Sequence, residues 1–114
     1  MDAAQRQEIK DFILDQIMQI REEIRSLREQ TRPIPPDNAI GRLSRMEAIN
    51  DKGVAETKLR TTLARLARLE QALRRTGEDD FGLCGECGEA IPAARLKLLP
   101  EIGLCVGCLE ERQG

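Results

Sequence analysis

Histidine is absent from this sequence, as are tryptophan and tyrosine, and Phe12 and Phe81 are its only aromatic residues. Without histidine the chain lacks the side chain most often used as a general base and as a nitrogen ligand to metals. There is no Gly-rich phosphate loop, and the adjacent carboxylates Asp79 and Asp80 sit on a short acidic link, where they read as solvated. An enzyme is therefore the class with least support, and the chain reads as a non-enzyme. No apolar run approaches the roughly 20 residues that a membrane-spanning helix needs. No apolar leader follows Met1-Asp2-Ala3-Ala4-Gln5-Arg6-Gln7, so a reducing cytoplasm is the expected location. Eighteen basic against twenty acidic residues, a net charge of −2, give no whole-molecule reason for binding nucleic acid or a membrane. A compact globule of 114 residues would normally bury several aromatic rings. Their scarcity points instead to long helices packed through aliphatic seams.

What the sequence does have is four cysteines in two pairs, Cys84-Gly85-Glu86-Cys87 and Cys105-Val106-Gly107-Cys108. A Cys-x-x-Cys pair closes a tight turn that aims both sulfurs at one point. Two such pairs supply the four thiolates, at about 2.3 Å, of a structural zinc ion. Gly88 stands just after the first pair, where a turn around a metal often needs positive φ. Two disulfides are the alternative, disfavoured in a reducing compartment. A thioredoxin-like redox pair would call for one Cys-x-x-Cys beside a strand–helix unit. One structural zinc held by Cys84, Cys87, Cys105 and Cys108 is the reading adopted. With four protein ligands no position is open, so the site should hold shape and not perform chemistry.

Upstream, residues 2–32 contain neither Gly nor Pro. Ile13, Ile17, Ile20, Ile24 and Leu27 recur at spacings of four and three, with Ile9 and Phe12 extending the same face, which predicts a long helix with one apolar seam. The charges opposite, among them Arg6, Lys10, Asp15, Arg21 and Arg25, read as a solvated face. Pro33, Pro35 and Pro36 must end the helix. Asp37-Asn38 then offers an N-cap for a second helix from about Ala39 to Thr76. Its seam is expected to begin at Ile40, Leu43 and Met46 and to continue through Leu59, Leu63, Leu66, Leu69 and Leu73. Asn50-Asp51-Lys52-Gly53 is poor helix material, and a continuous helix with room to bend or fray is expected there. Arg60, Arg65, Arg68, Arg74 and Arg75 read as solvated or paired with the first helix, not as a docking face. Gly77 should terminate the helix as a C′-like residue.

The fold class that follows is mainly α: a long antiparallel coiled-coil hairpin over residues 1–78, with its tip at about 32–39, then a small four-cysteine zinc-finger module over 79–114. Leu83, Ile91, Leu96, Leu99, Ile102 and Leu104 are the expected core around the metal. Residues 93–99 fit either a helical turn or a loop stopped by Pro100, and a short C-terminal helix is expected from Val106 to about Arg112.

Asp80-Phe81-Gly82-Leu83-Cys84, Cys87-Gly88, Ile91, Arg95-Leu96, Pro100 and Leu104-Cys105 to Cys108, following a helical hairpin, resemble the DksA/TraR (DnaK-suppressor) family over nearly the whole chain. The resemblance implies a bacterial transcription regulator that binds RNA polymerase directly and not DNA, as a monomer. Its coiled-coil arm would enter the enzyme's secondary channel and modulate initiation, in many members together with the alarmone ppGpp. The family's tip motif, Asp-x-x-Asp-x-Ala, has its nearest match in Ile34-Pro35-Pro36-Asp37-Asn38-Ala39. Asp37, Asn38 and Ala39 thus become the polymerase-contacting tip. Ile34 stands where the family has its first aspartate, leaving Asp37 as the single acid, and an Asp after prolines is also an ordinary N-cap. Arg95 is a further candidate for partner contact. Two alternatives come from other classes: a zinc-ribbon nucleic-acid binder and a coiled-coil protein-interaction adaptor. The first would need a basic, aromatic-bearing ribbon, whereas Arg95 and Lys97 are the only bases between Cys84 and Cys108.

Overall fold

The computed structural model describes residues 1–34 and 42–113. The expected tip residues Asp37, Asn38 and Ala39 lie outside the described residues, as do Ile40 and the side chain of Leu43. Helix α1 spans Ala3–Gln30. Asp2 opens it with a reciprocal capping box: its carboxylate accepts from the Gln5 amide at 2.7 Å, and the Gln5 side chain accepts from the Asp2 amide at 3.2 Å. Ile9, Ile13, Ile17, Ile20, Ile24 and Leu27 are all buried, as their spacing requires. The helix closes at Thr31, whose amide donates to the carbonyls of Leu27 and Arg28, just before Pro33.

Helix α2, Arg42–Arg75, returns antiparallel to α1. It runs unbroken through Gly53, the continuous helix expected there; tertiary packing and propagated hydrogen bonding along its thirty-four residues outweigh one poor helix former. Its seam keeps the expected Leu59, Leu66, Leu69 and Leu73 but differs at other positions. Ala55, Thr62, Leu69, Ala72 and Thr76 are buried, with Leu59, Leu66 and Leu73 packed against them. Positions 55, 59, 62, 66, 69, 73 and 76 follow the alternating four–three spacing of an antiparallel helix pair. Met46 is 59% exposed and Leu63 is 36% exposed, so neither belongs to the seam. Leu63 is one residue, about 100° of helical rotation, past the seam position, which Thr62 fills. The Thr62 hydroxyl donates to the Lys58 carbonyl at 2.7 Å, so it enters the interface without an unsatisfied polar group.

At the base of the hairpin, Gly77 stands in the expected C′ position just past the end of α2, though without positive φ. The Thr76 hydroxyl donates to the Leu73 carbonyl at 2.6 Å, and the amides of Gly77 and Glu78 donate to Arg74 and Arg75, unwinding α2 through a tight turn. The finger follows, with helix α3 at Ala93–Leu98 and helix α4 at Val106–Gln113. Among the described residues there is no strand beyond an isolated antiparallel bridge between Leu83 and Ala90. Ile91, Leu96 and Cys84 join Ile9, Ile13, Leu69 and Ala72 in one continuous buried cluster, so the finger rests on the open end of the hairpin. Leu83 and Leu99 are 47% and 38% exposed and are not core. The fully buried position after α3 goes to Pro100 instead, and Leu83 is the bridge residue at the rim.

The radius of gyration is 19.3 Å and the extents are 60 × 32 × 18 Å. A compact chain of this length would have a radius near 13 Å. This is a slender arm on a small knob. No helix among the described residues is long and apolar enough to cross a membrane.

Candidate metal centre

Each cysteine pair sits on a turn that local chemistry explains. In the first, the Cys84 amide donates to the Glu89 carbonyl at 2.8 Å and the Gly88 amide to the Cys84 carbonyl at 3.0 Å. That closure needs the left-handed conformation at Gly88, φ +75°, as its place after Cys87 predicted. Gly82, at φ +96°, makes the turn before the pair, and its carbonyl accepts from the Ile91 amide at 2.7 Å. In the second pair Cys105 precedes the first turn of α4, and the Cys108 amide approaches its sulfur at 3.5 Å. The two turns are tied together by the Gly85 amide donating to the Gly103 carbonyl at 2.9 Å. An ion pair from Arg112 to Glu86 returns α4 to the first turn.

The four sulfurs consequently lie within 4.8 Å of one another, and Cys87 Sγ is 3.7 Å from Cys105 Sγ. Tetrahedral zinc with bonds of about 2.3 Å places its sulfurs about 3.8 Å apart. A disulfide needs about 2.05 Å, and all four cysteines are free. The donor set therefore fits one structural zinc ion. The electrostatics agree. The amide of Cys87, then those of Cys105 and Glu86, hold the buried Cys84 thiol down to about 6. Cys108 is pushed well up by the crowded sulfurs of Cys105, Cys84 and Cys87. Four thiols this close ionise together only around a cation, which is the role of the metal.

Arg95, expected as a partner contact, lies on α3 with its Nε 3.4 Å from the Leu104 carbonyl and its Nη2 buried. It braces the segment leading into the second cysteine pair. Two ion pairs across the arm–finger junction have no counterpart in the sequence reading: Lys97 to Glu8 at 2.6 Å and Arg65 to Glu101 at 3.3 Å, the latter with Glu101 only 8% exposed. Isolated charges on helices give no sequence signal of such long-range pairing.

Comparison with known proteins agrees with this geometry. Residues 79–114 match the prokaryotic dksA/traR C4-type zinc finger. The chain carries a four-cysteine zinc finger of the DksA/TraR type. The chain aligns over 43 residues with the RNA polymerase-binding transcription factor DksA of Haemophilus influenzae, at 40% identity, covering 38% of this chain and 30% of that protein. The Escherichia coli DksA matches at 35% over 43 residues, covering 38% and 28%. These matched stretches thus span less than a third of the DksA relatives. An uncharacterised protein of Aquifex aeolicus matches more of the DksA/TraR-type chain, at 28% identity over 91% of it and 68% of the relative. The solved structure of transcription factor DksA2 from Pseudomonas aeruginosa has the same fold, with a TM-score of 0.80 and 28% identity over 99% of this chain and 86% of that one.

Proposed function

We propose that this protein binds bacterial RNA polymerase directly and modulates transcription initiation by passing its hairpin arm into the enzyme's secondary channel. The observation that carries the reading is the likeness to DksA2 over 99% of the chain, arm and finger together. The curated DksA proteins that match part of the chain are named for binding RNA polymerase. The physical form is suitable. A molecule extended to 60 Å, with extents of 32 and 18 Å across, reaches where a globule of equal mass does not. Zinc serves as the fixed point of the knob and takes no part in chemistry, consistent with a regulator and not an enzyme, acting as a cytoplasmic monomer.

In this reading Asp37, with Asn38 and Ala39, forms the tip that meets the polymerase, and Asp37 is its single acid. Arg95 acts through the loop it braces, since its guanidinium is turned toward Leu104. ppGpp, where it participates, is bound at the shared interface with polymerase. The nucleic-acid reading is less favoured because Lys97 is engaged by Glu8 and Arg95 by a backbone carbonyl, leaving no cationic stacking face on the finger. In vitro transcription with purified polymerase, with and without ppGpp, tests the proposal. The native protein should change promoter output and Asp37→Asn should lose most of the effect while still binding. Absence of polymerase binding by the native protein would refute it.

A further inference from the structure

The chain joining α2 to the finger is a run of short turns whose backbone bonds are mostly local: the Glu78 amide donates to Arg75, the Phe81 amide to Glu78 and the Leu83 amide to Asp80. Residues 76–82 form successive turns and include two glycines, Gly77 and Gly82. A probe that must enter a channel in a fixed direction cannot tolerate a loose joint at its base. Apolar contacts at the junction hold the finger close but are non-directional. The ion pairs Glu8–Lys97 and Arg65–Glu101 tie the arm to α3 and to the residue after Pro100, and none of the four belongs to residues 76–82.

Arg6, in the second turn of α1, is different. Its Nη1 donates to the carbonyls of both Thr76 and Glu78, each at 2.8 Å. Those two carbonyls flank Gly77, at the end of α2 where backbone acceptors have no helical partner. The same guanidinium lies over the Phe81 ring, 5.4 Å from its centroid, and Phe81 packs against the core cluster shared with the finger. One planar, permanently charged group thus holds the joint on either side of its first glycine and again three residues further on. We propose that Arg6 is the positioning residue that fixes the direction of the arm relative to the zinc finger. It acts as a cap supplied to α2 by the opposite helix. The consequence for transcription rests on the polymerase-binding function proposed above; the mechanical claim does not.

The test uses the zinc-loaded full chain and backbone 15N relaxation. In the native protein the amides of arm and finger should report one shared anisotropic tumbling. In Arg6→Ala the finger amides should lose it and tumble faster than the arm, with one zinc per chain and helical circular dichroism retained. Arg6→Lys keeps the charge but not the planar fork, so it too should loosen the finger. It also decides the matter should Arg6→Ala fail to fold. Lys97→Ala, which removes a half-exposed ion pair, should leave the shared tumbling intact. Unchanged tumbling in Arg6→Ala, a fully rigid Arg6→Lys, or equal loosening in Lys97→Ala would each overturn the assignment. A separate polymerase-binding measurement on the native protein distinguishes failure of the functional reading, which would leave the relaxation result standing.

Discussion

Gly53→Ala is expected to stabilise the arm. Gly53 lies well inside α2, its φ is not in the positive region, and a Cβ built there meets no described atom within 4 Å. The substitution therefore adds no strain and no clash, and it removes backbone freedom from the unfolded chain. The helix-interior difference between Gly and Ala is about 1 kcal/mol. With an unfolding entropy of about 2.1 cal/mol/K per residue, a 114-residue chain should gain about 4 °C in Tm. In urea, with a slope of about 2 kcal/mol/M, the midpoint should rise by about 0.5 M. Circular dichroism at 222 nm measures both on the zinc-loaded protein. Neighbouring Thr57, whose hydroxyl donates to the Gly53 carbonyl at 3.2 Å, keeps that bond because the backbone does not move. An unchanged or lowered midpoint would refute the reasoning, because it would mean that the helix is interrupted over residues 50–53 and that the glycine is needed for a break.

Leu69→Ala, at a position with no exposure, should cost about 2–5 kcal/mol, whereas Leu63→Ala should cost well under half as much; equal losses in urea melts would place Leu63 back in the seam. Gly88→Ala must hold a Cβ in the left-handed region at φ +75° with nothing crowding it, so it should cost about 1–2 kcal/mol of backbone energy and weaken zinc retention in a chelator competition about tenfold; unaltered retention would show that the turn is not required for the metal. Stripping the metal with a strong chelator should release one zinc per chain and disorder the finger while most of the helical signal of α1 and α2 persists, since their buried seam is built mainly from their own residues and meets the cysteines only at its base; amide exchange resolved by segment checks this, and a uniform collapse of arm and finger would contradict it.

The local codes of this chain are complete in its sequence. Two Cys-x-x-Cys pairs with Gly88 behind the first specify a metal turn, because chelate geometry depends on neighbours a few residues apart. Pro33 stands just past the end of the first helix, where its missing donor stops the helix from continuing, and the isoleucines of α1 name their own face. The second helix is less readable. Its seam contains Ala55, Thr62, Ala72 and Thr76, which are small or polar and carry little hydrophobic signal, while the more apolar Leu63 and Met46 lie outside it. Only the fit against α1 decides that register, since facing isoleucines leave room for small partners. The same holds for Pro100 displacing Leu99 from the finger's core, for Arg65 finding Glu101, and for Arg6 reaching carbonyls seventy and more residues away. Local rules set which segments are helical and where the metal binds. Long-range packing alone set which side chains meet across the joint, because the partners share no spacing along the chain.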